Sequence, residues 1–128
     1  MTVEVIITGR LVKAKGVVSK KVKNQINNIV IGTEENHNEE SIDVFMNDSD
    51  AIYALEFMSE EVQNEVDFVI EDLIATNVID TGKVVVEPKD PVVKDRKMSV
   101  TITYSFRQRN CFNTTTLSYV IEWEIRDV

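Results

Sequence analysis

Apolar residues in this chain recur with two different periods, and the change of period divides the chain into elements. Val3, Val5 and Ile7 alternate with Thr2, Glu4 and Ile6, which is the period of a strand, and Gly9 offers a turn after it. Beyond Gly16, Val18, Val22, Ile26, Ile29 and Val30 recur at helical spacing with lysines and asparagines between them, and Gly32 is placed to stop the element. That spacing predicts an amphipathic helix with a basic outer side. "TEENHNEES" has no apolar residue and predicts a solvated loop, after which "SIDVFM" predicts a short second strand.

A long helical period follows. Asn47, Asp48 or Ser49 can cap a helix, and the acids just inside it sit where the helix dipole favours them. Ile52, Leu55, Ser59, Val62, Val66, Val69 and Leu73 then keep a spacing of three or four, which predicts one helix from about residue 49 to 77 with Ser59 as a candidate break. Val84 to Val86 predict a third strand, ended by Pro88 and Pro91. Met98, Val100, Ile102, Tyr104 and Phe106 alternate with Ser99, Thr101, Thr103 and Ser105, and Leu117, Tyr119, Ile121, Trp123 and Ile125 recur with the same period. These are two half-buried antiparallel strands joined by the polar loop "RQRNCFNTTT". The order β-α-β-α-β-β-β predicts a single α+β domain over residues 1–128, its mixed or antiparallel sheet packed on one long acidic helix.

Length and composition agree with that reading. A chain of 128 residues with 43% hydrophobic and 28% charged residues can bury a core of its own without metal or disulfide. Cys111 is the only cysteine, so no bridge within the chain is available. The start, "MTVEVIITGRLVK", lacks the basic opening and apolar run of a signal peptide, and no stretch reaches the ~20 apolar residues of a membrane helix. The expectation is a soluble protein that is neither secreted nor membrane-bound.

The charge is unevenly placed. Residues 1 to 23 carry six bases against one acid, residues 24 to 82 carry fifteen acids and no base, and residues 83 to 128 carry eight bases against six acids. Three zones of +5, −15 and +2 thus lie beneath a formal net charge of −8. Asymmetry of this kind bears on association more than on fold.

Candidate chemistry is sparse. His37, in "EENHNEE", is the only histidine, and a loop with no apolar anchor gives a metal no supporting shell. Any Ser-His-Asp or Cys-His arrangement would depend on that same loop, so hydrolase chemistry is not expected. Cys111, close to Arg107 and Arg109, could have a lowered thiol pKa, but a hairpin tip without a role explains it as well. Gly9, Gly16, Gly32 and Gly82 are too scattered for a phosphate loop. "NDSD" opens like a calcium loop but lacks the central glycine, and Met58 stands where the closing glutamate belongs. Lys20, Lys21 and Lys23 could touch phosphates, yet the net charge of −8 opposes a duplex. No catalytic residue, cofactor or metal site is expected, and no direct binding of nucleic acid.

The long helix is more informative. At 100° per residue, Leu55, Val62, Val66, Val69, Ile70 and Leu73 share one arc with Ile52, while Tyr53, Phe57 and Phe68 fall almost opposite. Glu60, Asp67 and Glu71 rim the aromatics on one side, and Glu61, Glu65 and Asp72 on the other. Large aromatics rimmed by charge predict a contact surface. Like charges one turn apart, such as Glu56/Glu60 and Asp67/Glu71, cost an isolated helix a few tenths of a kcal/mol each. The acids therefore make more sense as half of an interaction, whose other half could be the basic segment holding Lys20, Lys21 and Lys23 in a neighbouring copy.

The closing stretch "TTTLSYVIEWEIRDV" resembles the last strand of phage tail terminator proteins, small α+β subunits that form a ring at the head-proximal end of the tail. "VVVEP" is similar to a segment of baseplate sheath-initiator subunits, and here about twenty residues intervene before the last hairpin where terminators have fewer. The resemblance implies a non-enzymatic tail, tail-completion ring or baseplate subunit with protein partners and a homo-oligomeric state, located in a virion or host cytoplasm. It carries over no functional residue. A second reading is a small acidic inhibitor or DNA mimic, whose carboxylates imitate phosphates for a basic target.

Overall fold

The computed structural model describes residues 2–20, 22 and 38–128. Within them the elements are β1 (Val3–Lys15), β2 (Asn38–Phe45), α1 (Asp48–Ala75), β3 (Ile79–Glu87), β4 (Lys97–Gln108) and β5 (Thr115–Asp127). The basic helix expected after Gly16 falls outside these residues except at Val18, Ser19, Lys20 and Val22, and Lys21, Lys23 and His37 lie outside them altogether. The chain is an α+β domain whose described strands form one antiparallel sheet in the order β2-β1-β5-β4-β3.

Strict alternation builds the β4–β5 hairpin. Met98 pairs with Trp123, Val100 with Ile121, Ile102 with Tyr119 and Tyr104 with Leu117, so these apolar residues meet across the ladder on the same face. On β1, Val3, Val5 and Ile7 continue that face beside Ile125 and Trp123. Helix α1 covers it with Ala51, Leu55, Ser59, Val66, Ile70 and Leu73, and Val62 and Val69 pack on its margin. Trp123, Tyr119, Tyr104 and Ile102 are thus core residues. Each such side chain contributes about 1.5–3 kcal/mol by leaving water.

Helix α1 begins where Asn47 accepts a hydrogen bond from the amide of Asp50 at 2.9 Å. It runs through Ser59 without a break. Ser59 is buried, a small residue at the place where Lys89, Asp90 and Pro91 pass beside the helix and Gln63 donates to the carbonyl of Lys89 at 3.5 Å. Ile52 is 38% exposed and is not part of the core face; Ala51, with a smaller side chain, is buried in its stead. The helix ends at Thr76, whose hydroxyl donates to the carbonyl of Asp72 at 2.9 Å, and Asn77 follows with φ of 59°. The amide of Val78 then bonds to the Leu73 carbonyl at 3.0 Å, a left-handed stop that turns the chain straight into β3.

Three strands differ from expectation. β1 does not turn at Gly9, which is buried and paired with Asn38 on one side and Ile121 on the other; the strand continues to Lys15 and turns at Gly16, where φ is +92°. Two flanking ladders hold Gly9 extended in spite of its poor strand propensity. β2 begins at Asn38, so the end of "TEENHNEES" is strand and not loop; the rest of that segment is not described. β3 begins at Ile79, well before Val84, and pairs with β4 through the polar stretch "DTGK". Gly82 permits this, since a Cβ there would come within 2.9 Å of the Ile79 side chain and 3.3 Å of Phe106.

The approach to β4 is a two-residue hairpin. Lys94 and Lys97 exchange both backbone hydrogen bonds, at 2.8 and 3.0 Å, while Asp95 and Arg96 between them have φ of 52° and 64°. Positive φ at both central positions is the type I′ turn, normally built with Asn-Gly. Among the described residues no helix is long and apolar enough to cross a membrane.

Candidate interaction surface

The outer side of α1 presents what the helical period places there. Tyr53 is 64% exposed, Phe57 51% and Phe68 66%, on a helix whose opposite side is fully buried. Tyr53 and Phe57, one turn apart, meet edge to face with centroids 5.1 Å apart. That geometry aligns the positive edge of one ring with the negative face of the other. Phe68 stands apart from this pair, about 16 Å farther along the axis at 1.5 Å per residue. Exposed Glu61 and Asn64 occupy the intervening turns, so the surface is an aromatic pair and a single aromatic separated by a polar stretch.

Among the described residues the carboxylates around it are largely without ion-pair partners. Helix α1 carries Asp48, Asp50, Glu56, Glu60, Glu61, Glu65, Asp67, Glu71 and Asp72 and no base. Among the described residues Asp48 alone of these forms an ion pair, with Arg96 at 3.2 Å. Arg96 also bonds to Asp127 at 2.9 Å, and chiefly that bond, against the lowering effect of desolvation, raises its pKa above the ordinary arginine value. Glu60, Glu61, Asp67 and Glu71 are all exposed.

The basic half is described only in part. Arg10, Lys13, Lys15 and Lys20 are exposed on and after the distal end of β1. Sequence reasoning stopped β1 at Gly9, and so it missed that Arg10, Lys13 and Lys15 are strand residues in register with β5. The segment beyond them is held by Gln108, 9% exposed: its side-chain amide donates to the carbonyl of Val17 at 2.7 Å and accepts from the amide of Ser19 at 2.7 Å. Thr115 donates to the same Val17 carbonyl at 2.7 Å. Nothing in the alternation of β4 singles out its last residue as a clasp.

Cys111 is exposed at the β4–β5 hairpin tip beside the almost wholly exposed Phe112. Arg107, whose charge could have favoured its thiolate, points instead to Asp80 at 3.7 Å. Among the described residues no group of three or more histidine, cysteine or acidic side chains is placed to hold a metal ion. The surface depressions are open ones, such as that between Glu56, Ser59, Glu60 and Gln63 of α1 and the Lys89–Pro91 segment. An α+β domain with an acidic, aromatic helix face is the class these features define. Comparison of the chain with protein-family models, with curated proteins and with solved structures gave no match.

Proposed function

We propose that this chain is a non-enzymatic structural subunit that binds protein through the outer face of α1. The observation that carries the reading is the exposure of Tyr53, Phe57 and Phe68 amid carboxylates that have no ion-pair partner among the described residues. Aromatic anchors of this kind supply most of the energy of protein interfaces, and a charged rim supplies orientation. The exposed bases Arg10, Lys13, Lys15 and Lys20 of a neighbouring copy are a complementary rim. A contact between two different patches of identical copies is head-to-tail, and it closes into a ring where the rotation allows. The resemblance of the last strand to tail terminators suggests the setting, a phage tail, tail-completion ring or baseplate.

The test is the double substitution Phe57→Ser, Phe68→Ser. Both side chains are solvent-facing, so the fold and its Tm are expected to persist while assembly or partner binding, followed by native mass spectrometry, is lost. Unfolding of the variant would show the aromatics to be core residues and sink the reading. Salt is the second lever: a charged rim should weaken between about 50 and 500 mM, as the Debye length falls from about 14 to about 4 Å. A specific observation favours the alternative of an acidic inhibitor or DNA mimic, namely the array of α1 carboxylates without ion-pair partners among the described residues. That reading expects a monomer whose binding to a basic target survives loss of the two phenylalanines.

A further inference from the structure

Both edges of the sheet end in strands that no other described strand pairs, and the two edges are chemically unlike. β2, "NEESIDVF", carries Glu39, Glu40 and Asp43 and no base, so a second β2 brought alongside would meet like charge. Edge strands are commonly protected in this way. β3 is different. Its second half, "KVVVE", reads as its own complement when reversed.

We infer that β3 pairs antiparallel with β3 of a second copy about a two-fold axis through Val85, joining the two sheets edge to edge. In that register Lys83 of each copy lies opposite Glu87 of the other, Val84 opposite Val86, and Val85 opposite itself. The burial of the strand fits. Lys83, Val85 and Glu87 are exposed on the outer face, whereas Val84 and Val86 are half-buried toward α1. Residues directly opposite in an antiparallel pair share a face, so the two charge pairs and the Val85 pair form on the outside and the Val84–Val86 pairs on the helix side. A shift of one residue would set half-buried positions against exposed ones. A shift of two would separate Lys83 from Glu87 and leave neither charge pair.

The edge is also accessible. A groove runs along it, lined by Val84, Val85, Val86 and Glu87 of the strand and by Gln63 and Asp67 of the helix. Val85 is 40% exposed there. Among the described residues neither Lys83 nor Glu87 has an ion-pair partner in its own chain, while the nearby Asp80 is taken by Arg107. The partner selected by this chemistry is a second copy of the same chain. The inference deepens the reading as an assembly subunit and rests on it only for the expectation that copies meet; the surface is separate from the aromatic face.

The test is a charge swap at two exposed positions, which leaves the core untouched. Lys83→Glu places acid against acid twice in a symmetric dimer, and Glu87→Lys places base against base twice. Each is expected to raise the Kd of the wild-type dimer about tenfold in sedimentation equilibrium at low salt. An equimolar mixture of the two variants restores both opposite-charge pairs, so it should associate as a heterodimer about as tightly as wild type. A wild-type chain that stays monomeric up to roughly 1 mM would overturn the inference, and so would variants that dimerise unchanged or a mixture no tighter than its components. Phe57→Ser, Phe68→Ser should leave this dimer intact. If that double variant alone abolishes association and the charge variants do not, the edge pairing falls and the helix-face reading stands.

Discussion

The ring of Tyr104 meets that of Tyr119 edge-on, with centroids 6.2 Å apart, while the Tyr104 hydroxyl is buried without a hydrogen-bond partner among the described residues. Burial first, then Tyr119 and the carboxylates of Asp67 and Glu65, push the phenol well above its ordinary pKa of 10.0. The neutral phenol's contribution to stability is therefore complete below about pH 10. Above that pH the unfolded chain releases the proton and the folded one retains it. Stability then falls by up to about 1.4 kcal/mol per pH unit until the folded pKa is reached. Tyr104→Phe removes an unsatisfied polar atom and should be neutral or stabilising by about 1 kcal/mol at neutral pH. Denaturant titrations near pH 9 and pH 11 should show a smaller alkaline loss for the variant; an identical loss would contradict this placement of Tyr104.

Arg96 does two opposed things, and substitution can separate them. Its guanidinium ties Asp48, in the first turn of α1, to Asp127 at the end of β5, while its backbone occupies a left-handed conformation. The groups are partly exposed and screened by solvent, so the ion pairs are weak. Positive φ costs a residue with a Cβ roughly 1 kcal/mol relative to glycine. Arg96→Ala should lose the bridge and keep the strain, and Arg96→Gly should lose the bridge and relieve it. Thermal unfolding is expected to rank glycine above alanine by about 1 kcal/mol. Equal stability of the two variants would mean the turn carries no such strain.

Gln108 holds the chain beyond β1 through two short bonds to the backbone of Val17 and Ser19. Gln108→Leu keeps the volume and removes both, leaving the partly buried Ser19 amide without its acceptor. The expected loss is about 1–3 kcal/mol. Hydrogen exchange localises it: the Ser19 amide should exchange faster while the β4 and β5 amides keep their protection. A uniform loss across the sheet would assign Gln108 to the core instead.

The hairpin and the long helix were legible in the sequence because their signals are carried by large residues at strict spacing. Met98, Val100, Ile102, Tyr104 and Phe106 and likewise Leu117, Tyr119, Ile121, Trp123 and Ile125 recur at every second position, and all ten are buried. The buried face of the helix lies slightly out of phase with the one its bulky residues predict, because bulk and burial part company there. Ala51 and Ser59 are buried where α1 or its neighbouring segment comes close, whereas the bulkier Ile52 faces outward. Gly9 and "DTGK" were misread for a related reason: local propensity argued against strand, and ladders with residues far away in sequence prevailed. The aromatic positions Tyr53, Phe57 and Phe68 could be placed outside from period alone, but the distance between Phe68 and the Tyr53–Phe57 pair bears on a partner's size and needed the helix to be continuous. The edge complementarity of "KVVVE" could not be read before β3 was known to lie at the margin of the sheet.

The central ladder of the sheet joins its first strand to its last, with Val3 opposite Asp127 in a chain of 128 residues. Without β5 the sheet would fall into two separate pairs, β2 with β1 and β3 with β4. Such pairs are marginal in water by themselves. The core thus cannot close until β5 has been made, and closing it requires β1 to find a partner strand far away in sequence. Folding should accordingly be slow for a domain of this size and limited by the meeting of β1 with β5. During that interval β1 presents the unpaired edge that β5 will later fill, with Arg10, Lys13 and Lys15 exposed at its distal end, and charged residues of this kind disfavour the pairing of open strand edges.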